Sequence, residues 1–87
     1  MTALHIASFI VRARPEIADI VAARIAQQPG SEVHAVEAGK IIVVVEAASE
    51  RALADHMEDL RHQPDVLMVS LVFHQVDESM EAQMEPT

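Results

Sequence analysis

The chain has 87 residues, is 51% apolar and 23% charged, and contains no cysteine. This length accommodates one buried core and excludes a multidomain enzyme, while the absence of thiols excludes disulfides, thiolate metal sites and thiol catalysis and fits a reducing, cytoplasmic setting. Fourteen acidic against six basic residues give a formal charge of −8, a field that repels nucleic acid and anionic lipid surfaces and draws in cationic peptides.

Leu4 to Arg12 is rich in Ile, Val and Phe and predicts a first strand, ended by Arg14-Pro15. It lacks the basic n-region of a secretory signal. Pro15 suits a first helical turn, Glu16 and Asp19 favour its positive end, and Ile17, Ile20, Val21, Arg24 and Ile25 recur at helical spacing, so a helix is expected to about Gln28. Pro29-Gly30 stops it. Ser31 to Glu37 and Lys40 to Glu46 read as a hairpin joined through Ala38-Gly39. Ile41 to Val45, apolar on both faces, has the pattern of a central strand and is far shorter than the ~20 residues of a membrane span. Ser49 is placed to cap a second helix whose buried stripe is Leu53, Met57 and Leu60 and which ends near Arg61 or His62. Pro64-Asp65 then turns into a last strand, Val66 to Gln75, and the domain is expected to span residues 1–75. The composition of 76–87 predicts a disordered acidic tail.

Strand, helix, strand, strand, helix, strand is the ferredoxin-like βαββαβ arrangement of the α+β class: a four-stranded antiparallel sheet with two helices on one face, strands one and three central. Alternation assigns Ala7, Phe9, Val11, Val33, Ala35, Ile41, Val43, Val45, Val69, Leu71 and Phe73 to the covered face. The other face receives Ile6, Ser8, Ile10, Arg12, His34, Val36, Ile42, Val44, Glu46, Met68, Ser70, Val72 and His74. A solvated sheet face is normally polar, and this one is largely apolar, which marks a partner site. An apolar face of this kind is also able to pair with a copy of itself as a weak homodimer.

No metal site is expected. His56 and His62 are six residues apart and cannot share a helix face, while His5 falls on the covered face and His34 and His74 on opposite edge strands. No glycine-rich phosphate loop or nucleophile elbow is present, so neither catalysis nor a cofactor is expected. Ser8 and Ser70 read as small residues that keep the open face flat.

The segments Ser8-Phe9-Ile10-Val11, Pro29-Gly30-Ser31-Glu32-Val33, Gly39-Lys40-Ile41-Ile42-Val43-Val44-Val45-Glu46 and Val69-Ser70-Leu71-Val72-Phe73-His74-Gln75 resemble the NapD family, cytoplasmic maturation chaperones of the periplasmic nitrate reductase. The resemblance implies binding of the twin-arginine signal peptide of the catalytic subunit's precursor, holding back export until the molybdenum cofactor is inserted. On that reading Ile6, Ser8, Ile10, Ile42, Val44, Glu46, Met68, Ser70, Val72 and His74 form the peptide-binding face, with Glu46 meeting arginines. The competing reading is a stand-alone amino-acid effector-binding domain of the Lrp/AsnC type, whose turn between the second and third strands usually carries a glycine followed by an acidic residue and an aromatic. Here the turn reads Gly39-Lys40-Ile41-Ile42.

Overall fold

The β-branched and aromatic residues of Leu4–Ala13 form the first strand, β1, of the computed structural model, which describes residues 4–77. Pro15–Ile17 is a separate 3₁₀ turn, and α1 proper covers only Ala18–Ala26. Ile17 leaves helical geometry (φ −123°, ψ 8°), so the buried stripe slips to Ala18, Val21, Ala22 and Ile25 and leaves the expected Ile20 exposed. Arg24 instead reaches across to donate to the Pro64 carbonyl at 3.0 Å.

Strands β2 (Ser31–Glu37) and β3 (Lys40–Ala47) form the expected hairpin. Ala38 and Gly39 both have positive φ, 53° and 83°, which a two-residue hairpin turn with the natural strand twist requires. Ser49 caps α2 (Glu50–Arg61), its Oγ accepting the Ala52 N–H at 3.0 Å. Leu53 and Leu60 are buried and Met57 packs against the core. β4 runs from Val66 to Asp77, two residues past the expected end. The rest of the tail, 78–87, lies outside the described residues.

The sheet order is β2-β3-β1-β4 with every pairing antiparallel, the ferredoxin-like order with β1 and β3 central. Both helices contribute to a single cluster with Ala7, Phe9, Val11, Ile41, Val43 and Val45, so they cover the same face. The opposite face has no covering layer among the described residues.

Central alternation holds without interruption, from His5 opposite Ala47 to Arg12 opposite Lys40. The edge strands break it. On β4, Phe9 pairs with Leu71 but Ser8 with Phe73, so Val72 is an extra residue without a cross-strand partner; a second slip leaves out Leu67. On β2, Val33 pairs with Val43 but Ala35 with Ile42, leaving out His34. A β-bulge inserts one residue and reverses the facing of all that follow. Six assignments change as a result. Phe73 and Ala35 move from the covered set to the open face, Val36 and His74 move to the helix side, and Val72 and His34 become bulge residues. His74 thereby comes beside His5, with His5 Nδ1 3.3 Å from His74 Nε2, so these two histidines are neighbours and not on opposite faces.

Gly39 sits where any side chain is opposed twice, by its positive φ and by the Ala13 carbonyl oxygen, 2.5 Å from where a Cβ would stand. The contact exists because the Ala13 N–H donates to the Gly39 carbonyl at 2.9 Å, tying the hairpin to the end of β1. Gly39→Ala is expected to cost ~1–3 kcal/mol, read as a lower urea midpoint with an unchanged slope.

Candidate functional site

The register arranges the open face in rows that run from β2 through β3 and β1 to β4. One row reads Ala35, Ile42, Ile10, Ser70; the next reads Glu32, Val44, Ser8, Phe73. Glu46, Ile6 and Gln75 follow at one end, and Glu37, Lys40, Arg12 and Met68 close the other. Of the ten residues expected to form the site, eight share this face: Ile6, Ser8, Ile10, Ile42, Val44, Glu46, Met68 and Ser70. Val72 and His74 are taken out of it by the bulge.

Ile6, Ile10, Ile42 and Val44 are half-buried, shielding one another in the middle of the sheet, whereas Met68 and Phe73 on β4 stand about half exposed, at 50% and 51%. Ser8 and Ser70 are the small residues between these two groups. Together they form a trough whose floor is Ile and Val and whose wall is Met and Phe. An extended or helical apolar segment laid on it loses water from both, and that is the physical basis of a docking face.

The two ends of the trough differ in charge. Glu46 and Glu32 border a recess of about 290 Å³ that also involves Gly30, Ser31 and Val44, while Lys40 and Arg12 stand side by side at the other end. Gly30 shapes the recess: its carbonyl accepts the Glu46 N–H at 2.9 Å, and a Cβ there would lie 2.9 Å from the Glu46 carbonyl oxygen. Both carboxylates are exposed, Glu32 with the exposed His34 imidazole 3.8 Å away, and both are accessible to a guanidinium, whose planar fork suits bidentate pairing.

The chain matches the NapD protein family over residues 4–78. It is 41% identical over 73 residues to the chaperone NapD of Paracoccus pantotrophus, covering 84% of this chain and 65% of that protein. It is 37% identical over 79 residues to the chaperone NapD of Escherichia coli K12, covering 88% of this chain and 91% of that one. The chain belongs to the NapD family. Its matched relatives are named as chaperones, a non-enzymatic role. The solution structure of the E. coli Tat proofreading chaperone NapD superposes with a TM-score of 0.77 at 35% identity, over 97% of this chain and 86% of that one. An AsnC-family transcriptional regulator from Pyrococcus furiosus superposes with a TM-score of 0.69 at 15% identity, over 86% of this chain and 54% of that one. That likeness is one of fold, and it accounts for the strand order the competing reading relied on.

Alternation misplaces two members of the face, Phe73 and Ala35, each hidden by a bulge; Glu32 falls on this face by alternation from Val33, and the β2–β3 register sets it across from Val44. The two phenylalanines consequently have opposite roles. Phe9 is 2% exposed and Phe73 51%. Phe9→Ala is expected to cost ~3–5 kcal/mol as a truncated core aromatic, and Phe73→Ala below ~1 kcal/mol, a contrast that equilibrium unfolding of the two variants measures directly.

Proposed function

We propose that this NapD-family chain is a cytoplasmic chaperone that binds the twin-arginine signal peptide of the precursor of the periplasmic nitrate reductase catalytic subunit. The observation that carries the reading is the open sheet face, an apolar trough ending in Glu32 and Glu46, in a chain whose relatives include a Tat proofreading chaperone. A signal peptide of this kind joins a basic segment to an apolar one. The apolar segment lies over Ile6, Ile10, Ile42, Val44, Met68 and Phe73, and the arginines meet the carboxylates at the Glu46 end. Burial of ~300–400 Å² of apolar surface contributes ~8–10 kcal/mol before the costs of ordering and association, enough for net micromolar to nanomolar binding.

The effect on export is one of timing. A bound signal is withheld from the translocation machinery, and its free concentration falls by a factor of 1 + [chaperone]/Kd. Cofactor insertion into the precursor then precedes export. Among the described residues no helix is long and apolar enough to cross a membrane, in keeping with a chaperone that meets its client before translocation.

Ile42→Asp or Val44→Asp is expected to weaken binding of the synthetic signal peptide at least about tenfold, equivalent to ~1.4 kcal/mol, while circular dichroism stays unchanged. Calorimetry returning wild-type affinity for both folded variants overturns the sheet-face reading. Replacing Glu32 and Glu46 together by Gln should lower affinity and flatten its dependence on salt; a salt response identical to wild type removes these carboxylates from the arginine contact. Equal affinity for twin-arginine signals of unrelated precursors would overturn the assignment of the nitrate reductase subunit as client.

A further inference from the structure

We propose that the recess of about 170 Å³ between α2 and β4 is an anchor site for one bulky apolar side chain of the client, carried by the residues that follow the apolar stretch of its signal peptide. The inference rests on the reading of the trough as the signal-peptide face and extends that face around the sheet edge. Phe9, Leu53, Met57 and Leu71 wall the recess on the helix side of the sheet, where Phe9 pairs with Leu71. Its α2 wall includes Ala54, whose single methyl fills little of the space, and Leu71 is left 50% exposed although it lies on the covered face. An apolar cavity of about 150 Å³ admits a benzene-sized guest, so this recess fits a Leu, Met or Phe side chain.

The recess is continuous with the trough. β4 turns three consecutive apolar residues three ways: Leu71 to the recess, Val72 to the bulge at the edge and Phe73 to the open face, at 50%, 53% and 51% exposure. The row Glu32, Val44, Ser8, Phe73 crosses the sheet from the acidic corner to this edge. Three strand spacings are about 14 Å, the length of about nine helical residues. A signal whose arginines meet Glu32 and Glu46 therefore brings the end of its apolar stretch to Phe73, and about three extended residues, or ~10 Å, carry the chain over Val72 to the recess. Charge selects the residues beside the anchor. Glu50 lines the recess and the chain's formal charge is −8, so neutral or basic neighbours are accepted and acidic ones repelled. A bulky side chain seated in a pocket is where the binding energy of an interface concentrates.

The test compares two synthetic peptides on the full chain: the precursor's signal ending with its apolar stretch, and the same signal extended by about ten of the residues that follow. The longer peptide is expected to bind about tenfold more tightly or better, with the methyl NMR signals of Leu53, Met57 and Leu71 moving only for it and those of Ile42 and Val44 moving for both. Ala54→Phe fills the recess from an exposed helix position, and Leu71→Thr removes a wall while keeping a strand-favouring residue. Each should abolish the longer peptide's advantage and leave the shorter peptide's affinity at the wild-type value, with circular dichroism verifying both folds. Equal affinity of the two peptides for the wild-type chain, or an advantage that survives both substitutions, overturns the anchor site while the trough reading stands. Methyl signals of Ile42 and Val44 unmoved by either peptide overturn the trough reading, and this inference with it. Recess methyl signals that move on dilution of the free chain, or on removal of residues 78–87, identify a second copy or the chain's own end as the occupant and equally overturn the proposal.

Discussion

The unbroken ladder between β1 and β3 is the constraint on which everything else depends. Over eight consecutive pairs it keeps Ala7, Phe9 and Val11 level with Val45, Val43 and Ile41 under the helices, and by the same alternation it presents Ile6, Ser8 and Ile10 with Glu46, Val44 and Ile42 on the other side. Core and candidate site are therefore two faces of one register. A slip of a single residue would place the site in the core and the core in solvent. Two helices suffice to cover one face of a four-stranded sheet, and among the described residues no further layer covers the other.

The same ladder explains what could be read from the residues and what could not. Central strands were legible because Ile41 to Val45 is apolar at both parities, and an uninterrupted register needs only one anchor to assign every residue. Edge strands were not, because Leu71, Val72 and Phe73 are all apolar, and a one-residue insertion leaves no trace in hydropathy. The clues lie elsewhere in the pattern. Strict alternation from Val33 and Ala35 would aim Glu37 at the core, and from Leu71 and Phe73 it would aim Gln75 there. The hairpin carries a second clue. A two-residue turn at Ala38-Gly39 sets Glu37 opposite Lys40 and hence Ala35 opposite Ile42, on the open face. For Val33 still to join Val43 beneath the helices, one residue must be inserted between them, and His34 is that residue. Helix α1 shows the same limit: the spacing of Ile17 and Ile20 is helical, but the break at Ile17 decides which later residues are buried.

Charge acts on this frame without helping to build it. Among the described residues no charged side chain is buried, and the ion pairs are exposed contacts such as Arg61 with Glu58 at 3.5 Å, of a kind that contributes little to stability. Stability rests on a small aliphatic core in which Phe9 is the single aromatic. The acidic residues are thereby free for another use. On the open face they do not spread evenly: Glu32 and Glu46 gather at one end of the trough, while at the other Glu37 stands beside Lys40 and Arg12. A net negative surface attracts any cationic segment, but a face with distinct ends can prefer one direction of a bound chain over its reverse.

An apolar face flanked by edge strands is also exposed to the wrong partners, and the bulges bear on that problem as well as on facing. β4 carries Leu67, Met68, Val72 and Phe73 at half exposure or more, which on a flat edge would invite strand addition by another copy. Its two bulges, at Leu67 and Val72, interrupt the regular row of free backbone groups that such addition needs; the bulge at His34 does the same on β2. Edge-to-edge growth is thus disfavoured at both sides of the sheet. Association through the trough itself is a different matter, since two copies meeting face to face bring Glu32 and Glu46 of each into a closed, symmetric contact with like charges present on both surfaces. Unless the polar ends align head to tail, that contact opposes its own apolar gain, whereas a basic, apolar peptide meets both the charge and the trough at once. On the proposed function, the choice between a client and a copy turns on where the carboxylates stand as well as on the size of the apolar surface.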